Sequence, residues 1–232
     1  EHGYSRHLYE FKDEYANMPV DVQKDEEKGL YYVQKEKKRL YFRKSTPAKK
    51  IQKYYRALSM EQDRRSPHHY FNSVKEVTGK VFVDVGCAEG YSSLEIIEEA
   101  KHVYLFEQDE QWLEAIRATF EPWQDKVTIV QKYVSDHNSS REQTLDDFFN
   151  NQTNEHLFLK MDIEGAERHA LAGCNNLFQN CQKLDFAICT YHLRDDEEVI
   201  SAFLDKHNCT YINQKGFFRH KIRSVVMRGS KK

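Results

Sequence analysis

Lys80-Val-Phe-Val-Asp-Val-Gly-Cys-Ala-Glu-Gly90 is the stretch on which the reading of this chain turns. Val81, Phe82, Val83 and Val85 form a β-branched and aromatic run too short for a helix, and it stops at Gly86, as a buried strand entering a tight turn does. Gly90 follows four residues later, and residues 91–100 then carry helical spacing. A strand, a glycine turn and a helix N-terminus place backbone N–H groups and a positive dipole end where a ligand can approach. Two glycines four apart also occur in ordinary αβ turns, so the next unit matters. His102-Val-Tyr-Leu-Phe-Glu107 is a second apolar strand ending in a carboxylate, about 20 residues beyond the turn, where a group that hydrogen-bonds a ribose is expected. Glu107 is therefore the expected ribose ligand. The third glycine of a dinucleotide fingerprint is missing and Asp84 sits inside the strand end, which favours S-adenosylmethionine over a nicotinamide cofactor.

Composition sets bounds on everything outside this stretch. A chain of 232 residues, 39% hydrophobic and 13% aromatic, can bury one αβ core and a small appendage but not two large domains. The formal net charge of −2 excludes a whole-protein polycation argument for nucleic acid. Five cysteines (87, 174, 181, 189 and 209) show no Cys-x-x-Cys pairing and are odd in number, which reads as reduced, mostly buried thiols in a cytoplasmic setting. No apolar run reaches the ~18 residues of a membrane span, and no signal-peptide pattern opens the chain. The sequence begins at Glu1 without a methionine, as a trimmed chain would.

Residues 1–77 read as an N-terminal extension to a domain covering 78–232. The first 28 residues are polar, with Phe11, Tyr15 and Met18 at helical spacing, and are expected to form an arm or a short docking helix. Residues 29–33 and 39–42 are short aromatic runs joined by a lysine-rich connection, the pattern of a β-hairpin. Thr46-Pro47 then supplies an N-cap and a proline at the first helical position, with Ile51, Tyr54, Tyr55 and Leu58 on one face. This extension carries more tyrosine surface than it can bury alone, so it is expected to cap the substrate side or to form an oligomer contact. Its basic series, from Lys35 to Arg56, is either a solvated face or a grip for an anionic substrate such as a phosphorylated glycan carrier or RNA. His68 and His69, just before the central strand, are either a surface pair or part of a lid.

Beyond Glu107 the strands and helices alternate, which implies a largely parallel sheet with right-handed crossovers. Residues 127–131 form the third strand, and Asp136 after it either meets the adenine amino group or caps a turn. The fourth strand, His156-Leu-Phe-Leu-Lys-Met-Asp162, leads to Glu164. While the backbone stays extended, Asp162 and Glu164 share one face at the strand's carboxyl end. Glu167 falls in the first turn of the following helix, where the dipole favours a carboxylate, and is a further candidate on the substrate side. Residues 185–192 form the fifth strand, closed by His192. Residues 210–213 and 224–228 are expected to be short strands joined by a loop in which Arg219, His220 and Lys221 either reach substrate or face solvent.

These residues together resemble a family. Asp-Val-Gly-Cys-Ala-Glu-Gly at 84–90, Phe-Glu at 106–107, Thr-Leu-Asp-Asp-Phe at 144–148, Lys-Met-Asp-Ile-Glu-Gly-Ala-Glu at 160–167 and the histidine closing the fifth strand resemble the FkbM family of methyltransferases, over about residues 78–229. Cys87-Ala-Glu89 departs from the more usual Ala-Asn-x of the cofactor turn. The resemblance implies a class I, Rossmann-like α/β fold with a seven-stranded sheet whose seventh strand is antiparallel. It also implies S-adenosylmethionine as cofactor and methylation of a hydroxyl, often on a sugar, glycan or secondary metabolite. On that basis Asp84, Gly86, Cys87, Gly90, Glu107, Asp136 and Asp162 are expected around the cofactor. His192 is the expected general base, because its unperturbed pKa near ~6.5 leaves it largely neutral at physiological pH. Asp162 and Glu164 either orient His192 and the acceptor or, with it, hold Mg²⁺ or Mn²⁺. The competing reading is an RNA-directed or non-catalytic module that grips through the basic N-terminal region. A small-molecule or glycan partner ranks above nucleic acid because the acidic strand edge would repel a phosphate backbone.

Overall fold

The computed structural model describes residues 9–150, 155–218 and 221–231. The strand at the quoted stretch, β4 (Val81–Val85), is buried along its whole length. Its residues alternate between the two cores: Val81, Val83 and Val85 belong to one apolar cluster and Phe82 to the other. A strand buried on both faces needs helices on both sides, which is the doubly wound condition.

Parallel pairing joins β4 to β5 (His102–Phe106) and β5 to β6 (Val127–Val130) on one side, and β4 to β9 (His156–Met161) and β9 to β10 (Lys183–Cys189) on the other. The antiparallel β12 (Lys221–Lys231) then pairs with β10, and β11 (Thr210–Phe218) lies at the edge. The sheet order is β6–β5–β4–β9–β10–β12–β11. Chain order reverses between β4 and β9, so a crevice opens outside their carboxyl ends. The small pair β7 (Tyr133–Val134) and β8 (Glu142–Gln143) lies beside that crevice.

Helices α3 (Tyr91–Ile96) and α4 (Glu110–Phe120) pack on one face through Leu94, Ile96, Ile116 and Phe120. On the other face α5 (Leu145–Phe148), α6 (Glu167–Ala172), α7 (Asn175–Asn180) and α8 (Asp196–Lys206) contribute Leu145, Leu171, Phe178, Ile200 and Leu204.

The N-terminal region differs from its expectation in three respects. It is a three-stranded sheet rather than a hairpin, because β1 (Val22–Asp25) adds to β2 (Leu30–Lys35) and β3 (Lys38–Tyr41), and the helical content of the first 28 residues is confined to α1 (Lys12–Ala16) among those described. The 14-residue helix α2 (Ala48–Glu61) starts one residue later than expected, with Pro47 at the cap position and no side-chain cap. Most consequentially, Leu30, Leu40, Phe42 and Ile51 are fully buried in the same cluster as Leu94, Ile97 and Ile116. The extension therefore shares the core of the α3–α4 face, and each of these large side chains contributes roughly 1.5–3 kcal/mol of burial.

The expected loop of residues 214–223 is mostly strand. Gln214 to Phe218 continue β11 and pair with β12 down to Phe218 opposite Lys221. The exposed Lys221 opens β12, while Arg219 and His220 lie outside the described residues.

Candidate active site

The crevice at the switch point is a cleft of about 1530 Å³. Its floor comes from the turn after β4 and the ends of β5 and β9, one wall from the segment around Ser135 and Asp136, and the opposite wall from α2 of the N-terminal extension.

Gly86 and Gly90 are both left-handed, as is Ala88 between them. A methyl group at Gly86 would lie 2.2 Å from the carbonyl oxygen of Asp162, and one at Gly90 would lie 2.7 Å from the Phe120 ring. These glycines are required by close packing of the turn on the next strand's exit and on α4. Several N–H groups of the expected cradle turn inward. Gly86 and Cys87 both donate to the Phe106 carbonyl (3.0 and 3.3 Å), Ala88 donates to Glu107 Oε2 (3.0 Å) and Gly90 donates to the Cys87 carbonyl (2.7 Å). A left-handed turn folds its donors back on itself, and α3, at six residues, adds little dipole of its own. Four N–H groups of the turn are thus spent internally, those of Tyr91 and Ser92 at the start of α3 are not, and the carboxylates around the turn suit a ligand rich in hydroxyls and positive charge.

Glu107 lines the cleft and ties it together, accepting from Ala88 with one oxygen and from Asp109 N–H (2.8 Å) with the other. Each oxygen keeps a lone pair for a diol. Asp136 lies in the wall and pairs with His137 at 2.7 Å and His169 at 3.5 Å. Cys87 is buried, and burial pushes its thiol well above the usual range. Asp84 is 1% exposed and its charge is committed internally: Ser93 donates to it at 2.6 Å, and the Lys160 ammonium stands 2.8 Å from Oδ1. Lys160, which the sequence reading passed over, also donates to the Gly86 carbonyl at 2.7 Å. Burial would lower the Lys160 pKa, but the charges of Asp84 and Asp162 outweigh it and hold the ammonium protonated. A lysine inside an apolar strand is a legible signal of such a buried pair.

At the other end of the cleft, Asp162 accepts a hydrogen bond from Tyr70 Oη at 2.6 Å. Its Oδ1 lies 3.4 Å from His192 Nε2 and its Oδ2 lies 3.9 Å from His68 Nε2. Burial would raise this carboxyl, yet Lys160, His68 and His192 together with Tyr70 hold it at about 2. Tyr70 was the other participant that the sequence reading missed.

Several expected site residues are placed differently. His192 reaches Asp162 as expected, but both its ring nitrogens are buried and it does not line the cleft. Glu167 Oε1 stands 2.8 Å from its Nδ1, an approach too oblique for a full hydrogen bond. Burial lowers the His192 pKa, but the Glu167 contact and the Asp162 charge reverse this and raise it. His192 thus sits behind Asp162. Glu167 is fully buried, accepting from Ile163 and Gly165 N–H (2.8 and 3.0 Å), so it shapes the loop rather than touching substrate. Glu164 does not share a strand face with Asp162, because β9 ends at Met161 and Glu164 is left-handed, leaving its side chain 86% exposed and 3.7 Å from His192 Nε2. The paired histidines diverge. His68 is buried in the cleft wall, 3.0 Å from Tyr191 Oη, and burial drives its pKa down to about 4. His69 turns away from the cleft, with its Nδ1 on the Ser66 carbonyl and its Nε2 accepting from Arg228 at 2.8 Å, so it is structural and not part of a lid.

The residues do not suit Mg²⁺ or Mn²⁺. Among those described, ligand atoms converge only in His68–Asp162–Cys189 and Asp162–Glu167–His192. The first brings a thiol that burial keeps protonated. In the second, Glu167 is already spent on two backbone N–H groups and on His192, whereas hard ions require several free oxygens.

Five members of the basic series are committed within the molecule. Lys35 pairs with Glu95, Lys38 donates to the Leu94 carbonyl, Arg39 pairs with Asp25, Arg43 pairs with Asp109 and lies over Trp112, and Arg56 donates to the Met18 carbonyl. No helix among the described residues is long and apolar enough to cross a membrane.

Comparison with known proteins agrees with this architecture. The structure resembles methyltransferase FkbM from Methylobacillus flagellatus KT with a TM-score of 0.52 and 18% identity, over 75% of this chain and 54% of that one. The chain thus spans about half the length of that relative. It also resembles the magnesium protoporphyrin IX methyltransferase ChlM from Synechocystis PCC 6803 (TM-score 0.51, 13% identity, 81% of this chain and 86% of that one). At these identities the likeness concerns the fold. No curated protein matches the sequence. The Methyltransferase FkbM domain family matches residues 85–212, which run from the last residue of β4 into β11 and hold most of the cleft floor. That match takes in more than half of the 232 residues, and the chain belongs to the FkbM methyltransferase family.

Proposed function

We propose that the protein is an S-adenosylmethionine-dependent methyltransferase that methylates a hydroxyl of a small, hydroxyl-rich acceptor such as a sugar or secondary metabolite. The observation that carries this reading is the presence, in one cleft, of a glycine turn tied to Glu107 and of the ionised Asp162 held by Tyr70. Glu107 would hold the ribose diol, and Asp136 lies where the adenine end would fall. When bound, the cofactor supplies a methyl group already activated by its positive sulfur, so the protein's work is to exclude water and to orient the acceptor. Asp162 serves the second task by accepting a hydrogen bond from an acceptor hydroxyl, with His192 and Glu167 fixing its position from behind. The four carboxyls of Glu61, Glu89, Asp162 and Glu164 in the cleft lining suit a neutral acceptor better than a polyphosphate chain at that end.

Calorimetric titration with S-adenosylhomocysteine and with NAD tests the cofactor. Binding of the first and not the second is expected, and the reverse would remove the reading. Glu107→Ala should weaken S-adenosylhomocysteine binding by roughly 10- to 100-fold, the worth of hydrogen bonds to a charged acceptor.

A further inference from the structure

We infer that Glu61, supplied by the N-terminal helix α2, takes the proton from the acceptor hydroxyl, so that a segment outside the family match completes the active site. The inference rests on the methyltransferase reading above. Tyr54, Leu58 and Glu61 are spaced i, i+4 and i+7, hence lie on one face of α2, and all three line the cleft. Tyr54 Oη donates to Glu89 Oε2 at 2.8 Å and pins this face over the turn after β4. Glu61 is the last residue of α2, at the negative end of the helix dipole, where a carboxylate is disfavoured. Its carboxyl makes no hydrogen bond or ion pair among the described residues. A group placed against its local preference, without a partner and facing a cleft, is where a functional demand overrides stability.

Of the other titratable groups at this end, Glu89, raised to about 7, is held over the turn after β4 by the Tyr54 hydroxyl, and the rest are poorly suited to the proton. Asp162, held at about 2, is too weak a base. His68, at about 4, is also weak, and both nitrogens of His192 are buried. Burial, together with the charges of Asp162, Glu89 and Glu164, lifts Glu61 to about 8. Two carboxyls driven apart within one cleft divide the labour: one stays charged and orients, the other moves the proton. As the acceptor oxygen forms its bond to the methyl carbon, its proton passes to a Glu61 carboxylate oxygen and then to water. The electron pair of the broken sulfur–carbon bond stays on sulfur.

The test compares the full chain with its Glu61→Gln variant, beginning without cofactor or acceptor. Carbon-13 NMR of glutamate-labelled protein should show a carboxyl titrating near 8 that is missing from the variant. A Glu61 titrating in the ordinary carboxylate range would overturn the proposal. The raised folded-state pKa means that stability present below about 4.5 is lost as pH rises through about 8. Melting temperatures should therefore coincide at pH ~4 and favour Glu61→Gln by several degrees at pH ~9. Transfer of label from methyl-tritiated S-adenosylmethionine into a small-molecule cell extract should fall by roughly 10²-fold in Glu61→Gln. Glu61→Asp should recover part of the rate, and the wild-type rate limb near pH 8 should vanish in Glu61→Gln. S-adenosylhomocysteine affinity should stay within about two-fold, as expected for a group acting on the acceptor side. Unchanged transfer in Glu61→Gln would overturn the proposal, whereas failure of the wild type to bind S-adenosylhomocysteine would overturn the methyltransferase reading instead.

Discussion

Lys160→Met should destabilise the protein by about 3–5 kcal/mol, because it leaves the Asp84 carboxylate buried without its counter-charge. The two side chains are 6% and 1% exposed, so water cannot take the place of the ammonium. For a chain of this size the loss corresponds to a fall in melting temperature of roughly 6–20 °C. Calorimetric unfolding reads it directly, and a fall of less than about 2 °C would show that the pair does not stabilise the fold. The same substitution removes the donor to the Gly86 carbonyl, so the turn after β4 should loosen with it. Replacing both members, as Lys160→Met with Asp84→Leu, should restore part of the lost stability, since two apolar groups carry no desolvation penalty.

Asp162→Ala should lower methyl transfer by roughly 10²–10³-fold while the protein stays folded, because the acceptor loses the charged group that orients it. Circular dichroism and the labelled-transfer assay separate the two effects. His192→Ala should cost about ten-fold less, since His192 acts only through the placement of Asp162. Equal losses for the two variants would instead make His192 the base and would require the loop at 163–165 to open during the reaction. His192→Ala also removes the contact with Glu167, whose hold on Ile163 and Gly165 remains, so the loop should keep its shape.

The N-terminal extension bears on both experiments. Its Leu40, Phe42 and Ile51 close the α3–α4 core, so truncating residues 1–60 would strip that face as well as the cleft wall. Point substitutions on α2 are therefore the means of testing its part in the site.

The central strands and their order were legible in the sequence alone, whereas β1 and the long β11 were not. The all-apolar run at 81–85 ending in Gly86, the strand that ends at Glu107 and the alternation that follows suffice for a doubly wound parallel sheet, because period and turn chemistry are local properties. The same locality made the glycine turn, Glu107 and Asp162 legible as candidates, since each ends a strand where such a sheet binds ligands. Which side chains face one another was decided only by tertiary structure. Lys160 is one residue of an apolar strand until β4 and β9 pair and bring it to Asp84. Tyr70 and Glu61 lie about 90 to 100 residues before Asp162, and no spacing rule joins them. Glu164 shows the converse: the i, i+2 argument held only while the strand continued, and the left-handed turn after Met161 ended it. His68 and His69, adjacent in the chain, went to opposite sides because one ring was claimed by Tyr191 and the other by Arg228. Local chemistry sets what a segment becomes, but the charge and burial of each site residue depend on neighbours that only the closed fold supplies.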